Sequence, residues 1–452
     1  MLLFRHGVRR VLACVGAVAL LALAGLAAAG CGGSGKTSSS TGTAAGGHKP
    51  VTLTLGWWYD SKQGGYAKLL QLFEQKYPWI KVDAQTIPYN GYYQKLGAWT
   101  STGSGPDVVV LEAGGLGAPY YRSMRALDVQ AFRSELDKVT DPTVFCQDYD
   151  CAKGLYAIGF TRNGFPVYYN KDILRAAGLD PNRPPTTIRE MAAACTAVRK
   201  IGKACWIIGG KDIMLDLILS EMGLRVATRA QMEALANGTA KWTDPEFKQL
   251  LSIVHYMGRQ GWYQDGYVST DALSQPAPFE AGKSAFMPGG MGDGLDWKDL
   301  GDVMGFDKIG VMNMPTVTPG DGTGATPGPL NDSLGVALST SFAIPKWSKH
   351  PREAELLLRF TLDESVQKTI VAEPHGPFPG LKASQASWSP HPIFGDVLRM
   401  ANDSRAADLL TYIGYGYLST LNAQLQQLSL GQVSVDQAAE AIQKAADAAR
   451  SK

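Results

Sequence analysis

Two stretches bring chemically capable side chains together. In GWWYD (56–60) the indoles of Trp57 and Trp58, the phenol of Tyr59 and the carboxylate of Asp60 follow one another. Flat aromatic faces bind the C–H faces of a polyhydroxylated ring, and carboxylates accept from its hydroxyls. Glu112, closing PDVVVLEA (106–113), adds a second acid. Asp60 and Glu112 could also serve a glycoside hydrolase, whose two acids meet from distant parts of a chain. A third stretch, GCGGSGKT (30–37), has the spacing of a phosphate-cradling loop, G-x-x-x-x-G-K-[ST].

The elements around that third stretch decide its meaning. A phosphate loop needs a strand before it and a helix after it, so that backbone N–H groups and a helix terminus face the phosphates. Here Arg5, Arg9 and Arg10 are followed by an uncharged apolar run over 11–29, the layout of a secretory signal over residues 1–30. Beyond it SSSTGTAAGG has no apolar face, and residues 31–49 read as a flexible linker. AAAGC (27–31) resembles a lipobox, with Ala28 where Leu is usual. That resemblance implies cleavage before Cys31 and two acyl chains on it, enough for stable anchoring. An ordinary signal peptide cut nearby, or an uncleaved membrane anchor, are the alternatives. Each puts the remaining chain outside the cytoplasm.

A net charge of +2 over 452 residues gives no reason to expect a nucleic-acid partner. No nucleophile elbow G-x-S-x-G and no H-E-x-x-H occurs, and the six histidines are scattered. No cofactor and no metal site is expected. Of six cysteines, Cys14 leaves with the signal and Cys31 would carry lipid, so Cys146, Cys151, Cys195 and Cys205 remain in an oxidising compartment, an even count that suggests disulfides. The sequence-local pairing, Cys146–Cys151 and Cys195–Cys205, is the simplest of three. Zinc is the rival, but CQDYDC and CTAVRKIGKAC lack a C-x-x-C knuckle and nearby histidines.

What must position GWWYD is a sheet. Residues 51–55 form a strand by their β-branched and apolar content. GGYAKLLQLFEQKYP then places Tyr66, Leu69, Leu70 and Phe73 on one helical face, with Pro78 closing it. IKVDAQTIP is a second strand, YYQKLGAWTSTG a second helix, and residues 106–113 a third strand apolar enough to be buried on both faces. Alternating strands and helices imply an α/β fold with a mostly parallel sheet, whose ligands sit beyond the carboxyl ends of the strands. Trp57, Trp58, Tyr59, Asp60 and Glu112 lie there. Side chains alternate along a strand, so one indole of the pair belongs to the core. Glu112 either accepts from a ligand or caps the following helix. Asp212, in GGKDIMLD after the short strand CWII, is a ligand contact or a helix N-cap.

The segment FEQKYPWIKVDAQTIPYNGYYQKLGAWTSTGSGPDVVVLEAG resembles the first lobe of the family 1 extracellular solute-binding proteins, the carbohydrate-binding subunits of bacterial ABC importers. GLYAIGFTRNGFPVYYNKDILRAAGLDPNRPPTTIREMAAAC resembles their crossover segment, FEAGKSAFMPGG their F-x-x-G-x-x-A-M-x-x-x-G element, and SFAIPKWSKHPREAELLLRFTLDESVQKTI their return to the first lobe. LSLGQVSVDQAAEAIQKA is similar to their closing helix. The resemblance implies a two-lobed periplasmic-binding-protein-like fold with the sugar held between the lobes. Lobe 1 would comprise residues 50–161 and 340–390, and lobe 2 residues 165–339 with the C-terminal helices over 391–452.

It also implies a carbohydrate ligand, an ABC permease as partner, a membrane reached through the lipid anchor, and a monomer. Arg162 and Asn163 would line the cleft floor or hydrogen-bond between lobes. Where the family usually has a Pro-Trp pair, this chain reads GGMGDGLDW, with Met291 and Gly292 at the expected ring. Trp297 or Asp293 would then supply the contact. Tyr415 and Tyr417, in YIGYGYLS, stand where the family commonly has cleft aromatics. Two other classes stay open: an exported carboxylate-pair hydrolase, and a lipid-anchored adhesion or sensing protein without transport.

Overall fold

Eleven strands occur among the described residues of the computed structural model, which describes residues 48–139, 141–292, 296–382, 388–389, 391–414 and 416–451. Those described are β1 (Val51–Trp57), β2 (Ile80–Thr86), β3 (Val108–Leu111), β4 (Ile158–Gly159), β5 (Arg162–Asn163), β6 (Val167–Asn170), β7 (Ala204–Trp206), β8 (Ser284–Pro288), β9 (Ile309–Met312), β10 (Ala337–Leu338) and β11 (Ser341–Ala343). Cys14, Cys31, Asp293, Tyr415 and the whole signal lie outside the described residues.

The first sheet has the order β2-β1-β3-β11-β4, with β1 parallel to β2 and β3. The helix Gly64–Lys76 buries Tyr66, Leu69, Leu70 and Phe73 against it, the face its periodicity predicts. A second sheet has the order β7-β8-β6-β9, and a two-stranded antiparallel ribbon, β5 with β10, lies between. Two sheets with helices, joined by crossing strands, make the two-lobed α/β fold.

The sheets are less parallel than expected. β11 runs antiparallel to β3 and β4, and β6 antiparallel to β8 and β9. Both follow a crossing between lobes. A chain that crosses enters its sheet at the edge facing the other lobe and must run away from it, opposite to strands that lead there. Accordingly Ser341 starts β11 beside Leu111, which ends β3, and Val167 starts β6 beside Pro288, which ends β8.

Side-chain alternation along β6 sends Val167 and Tyr169 to one apolar cluster and Tyr168 to another. The second cluster continues through Met287, Ile309, Trp297 and Phe394 into the core of the first sheet. Two disulfides tie local loops, Cys146–Cys151 and Cys195–Cys205, as the sequence-local pairing anticipates. Among the described residues no helix is long and apolar enough to cross a membrane.

Candidate functional site

Carboxyl ends of strands from both sheets face each other across the ribbon. On the first sheet, β1 alternates so that Trp57 turns inward and is fully buried, its ring edge-on to Tyr59 and Tyr66. The half-buried Trp58 stands at the edge instead, packed edge-on against Tyr92 at 4.8 Å between centroids and tilted against Tyr93 at 6.4 Å. Tyr93 in turn lies 5.9 Å from Tyr120, so three rings follow one another along the edge. The Tyr93 hydroxyl donates to a Glu112 carboxylate oxygen at 2.8 Å and fixes its orientation. Glu112 therefore presents an oriented acceptor beside an aromatic strip. It does not cap the short 3-10 turn Gly114–Leu116, whose N-cap is Ala113.

Tyr93 and Tyr120 escaped the reading of the sequence. Tyr93 had a signal: it lies in the first turn after β2, and such turns sit at the carboxyl edge of a parallel sheet. Tyr120 had none, because a 3-10 turn carries no periodicity long enough to assign a face.

The remaining expected residues scatter. Tyr59 stacks on Tyr66 at 3.5 Å and its hydroxyl pairs with that of Thr340. Asp60 is exposed at the end of β1, where its carboxylate accepts from the Lys62 N–H at 2.7 Å and shapes the turn. Asn163 sits on the ribbon with its side-chain oxygen accepting from the N–H of Gly164, and at 3.4 Å from that of Met291. Asp212 is exposed and braces the second lobe, accepting from the Ala272 N–H at 3.1 Å. It caps nothing at the helix Met214–Gly223, whose N-cap is Ile213.

Two expected contacts are packed away. Trp297 is 5% exposed, against Phe306 and Phe394, because it opens an amphipathic helix whose apolar face covers the second sheet. Tyr417 is buried, its hydroxyl accepting from the Trp242 indole at 3.0 Å. No ring could stand at Gly292 either: a Cβ there would meet the Phe378 nitrogen at 2.9 Å.

Arg162 takes the interlobe role. It is 2% exposed, donating to the Pro379 carbonyl at 2.8 Å and to Asn402 at 2.9 Å, over the Phe378 ring. Burial pulls its guanidinium down to about 10, still charged at neutral pH. Glu221, also unforeseen, grips both crossings. Its two carboxylate oxygens accept from Phe165 N–H, just past β5, and Gly335 N–H, just before β10. Burial and the nearby Asp408 push Glu221 up to about 8, against the pull of those two bonds and of Arg225.

Asp216, on the helix Met214–Gly223, is fully buried with one oxygen accepting from Asn422 at 2.8 Å and the other unpartnered. Burial, aided by Asp212, pushes it up to about 8. The folded state thus holds this proton more tightly than an unfolded chain, whose carboxyl titrates near 4. Its contribution to stability is complete below pH 4 and is lost as pH rises through 8. Asp216→Asn keeps the acceptor for Asn422 and cannot ionise. It is expected to stabilise the protein by about 1–3 kcal/mol at pH 9 and to converge with the parent near pH 4. Urea melts at the two pH values check this, and equal midpoints at pH 9 would refute it.

Two α/β lobes joined by crossing strands, with rings and an oriented acid at the edge of the first sheet, make a two-lobed fold with a candidate solute site between its sheets. The chain belongs to the bacterial extracellular solute-binding protein family, whose sequence pattern matches residues 68–394. The sn-glycerol-3-phosphate-binding periplasmic protein UgpB of Escherichia coli (strain K12) is 25% identical over 236 residues, 49% of this chain and 53% of its own length. The chain thus spans about half the length of the curated relatives it matches. Among solved structures, a chitin oligosaccharide binding protein superposes with a TM-score of 0.72 at 18% identity, over 89% of this chain and 100% of that one. A family 1 extracellular solute-binding protein from Bifidobacterium longum subsp. infantis gives 0.66 at 17%, over the same shares. These likenesses carry the fold. The relatives named here are binding proteins.

Proposed function

We propose that this chain is the substrate-binding lipoprotein of an ABC sugar importer. It captures a mono- or oligosaccharide between lobes divided at 161–165 and 339–340, closes by rotation about the β5–β10 ribbon, and delivers the sugar to a membrane permease. Cys31 carries the lipid that holds it, as a monomer, at the outer face of the membrane. The observation that supports this most is the Trp58–Tyr93–Tyr120 strip beside the Tyr93-oriented Glu112. Apolar C–H faces rest on such rings while a carboxylate takes paired hydroxyls. An anionic solute such as a polyol phosphate needs a reachable cation here, and Arg162 is 2% exposed, its Nε and Nη1 donating to Pro379 and Asn402 and its unpartnered Nη2 enclosed.

The test is a thermal-shift panel of mono- and oligosaccharides plus sn-glycerol 3-phosphate, with products followed by chromatography. A saccharide at about 100 times its Kd should stabilise the protein by about 2.7 kcal/mol. Trp58→Ala should abolish that shift, with every saccharide recovered intact. Stabilisation by sn-glycerol 3-phosphate alone would overturn the sugar reading, and released monosaccharide would overturn the non-enzymatic one.

A further inference from the structure

Two residues beyond Glu112 the lobes touch backbone to backbone. Gly114 and Gly115, in the turn Gly114–Leu116 of the first lobe, lie against the helix Leu409–Ile413 and its C-cap Gly414 from the second. A Cβ at Gly114 would overlap the Thr411 carbonyl. One at Gly115 would stand 2.6 Å from Gly414 N, and one at Gly414 would stand 2.5 Å from Gly115 O. No side chain fits between the lobes here, and neither does a sugar ring. Flanking contacts reinforce the join: Arg229 pairs with Asp141 at 3.0 Å, and the Tyr149 ring lies 5.6 Å from Tyr412. Beyond the join a separate cavity of about 550 Å³ is lined by Tyr121, Tyr149 and Glu233 and shares no residue with the Trp58–Tyr93–Glu112 group.

We infer that this glycine contact is an end wall, which makes the protein a reader of short saccharides and chain termini. Resting on the sugar reading, this adds that the bound sugar ends at Glu112 and extends only away from it. An internal segment of a long polymer would have to pass through the space that Gly115 and Gly414 fill. The wall also explains why two adjacent glycines follow an acid at this edge: any larger residue would hold the lobes apart.

The experiment uses the full mature protein and the tightest-binding saccharide of the panel, in three forms: unmodified, and carrying a bulky aromatic cap at its reducing or its non-reducing end. Calorimetry should find one capped form equal to the parent and the other weakened at least 100-fold. Gly115, unlike Gly114 and Gly414, has no positive φ, so Gly115→Ala tests the contact without backbone strain. It should weaken the unmodified sugar at least tenfold and abolish its compaction in X-ray scattering, with the ligand-free circular dichroism unchanged. Gly97→Ala, where a Cβ meets nothing within 4 Å, should match the parent. Equal binding of both capped forms, or full compaction by the Gly115→Ala protein, would overturn the wall and leave the sugar reading standing. Failure of every saccharide to bind the parent would overturn both.

Discussion

Glu112→Gln is expected to weaken saccharide binding by about 100-fold, equivalent to about 2.7 kcal/mol, while the ligand-free protein melts as before. The carboxylate has two roles at once. It receives the Tyr93 hydroxyl at 2.8 Å, which holds it in one orientation at the carboxyl end of β3, and in the proposed complex it accepts from sugar hydroxyls. Glutamine keeps the shape and the bond to Tyr93. It replaces a charged acceptor with a neutral one and turns an N–H₂ toward sugar hydroxyls that were donating. Charge-assisted hydrogen bonds are roughly twice as strong as neutral ones, and a mismatched donor adds a desolvation cost. Tyr93→Phe should cost less, because the charge stays and only its orientation is released. Titration calorimetry on both variants with the tightest sugar of the panel checks the order. If Glu112→Gln binds as tightly as the parent, the acid lies outside the site and the ring strip alone must carry the affinity.

Arg225→Leu should destabilise the second lobe by about 3–5 kcal/mol. The Arg225 guanidinium is fully buried and donates to three carbonyls, those of Met314 at 2.9 Å, Pro315 at 3.3 Å and Ser333 at 2.7 Å. These belong to the stretch between β9 and β10, so one side chain anchors the chain that leads back into the ribbon. Leucine fills much of the volume and satisfies none of the three. It also removes the positive charge that moderates Glu221, whose carboxylate holds both crossings. The damage should therefore reach the hinge as well as the core. Urea denaturation followed by near-ultraviolet circular dichroism of the buried tryptophans gives the midpoint. A loss under about 1 kcal/mol would mean that water reaches those carbonyls and that the guanidinium is less enclosed than its burial indicates.

Local signals in the chain carried a good part of this architecture. The apolar content of residues 51–55 and 106–113 marked β1 and β3, and the spacing of Tyr66, Leu69, Leu70 and Phe73 marked the buried face of the first helix. Cysteines close in sequence announced both disulfides. These are determined by the sequence itself because period and spacing are properties of neighbours along the chain. The order in which β1, β3 and Glu112 reach one edge also follows from strand direction, so the acid and the indole pair were legible together.

The tertiary structure alone decided which way individual side chains turn. Trp57 and Trp58 are chemically identical neighbours, and the core lies against one of them only because the helix Gly64–Lys76 and β11 cover that face. Arg162 points to Pro379 and Asn402, more than 200 positions away, and Trp297 is claimed by Phe394, almost a hundred positions on, which packs on the same face of the second sheet. Tyr93 meets Glu112 through a helix whose rotation depends on everything packed beneath it, and Gly115 meets Gly414 across two lobes. Burial depends on what covers a face, and the covering groups arrive from distant segments. Sequence thus determined the residues available at the edge; folding determined which of them face the gap.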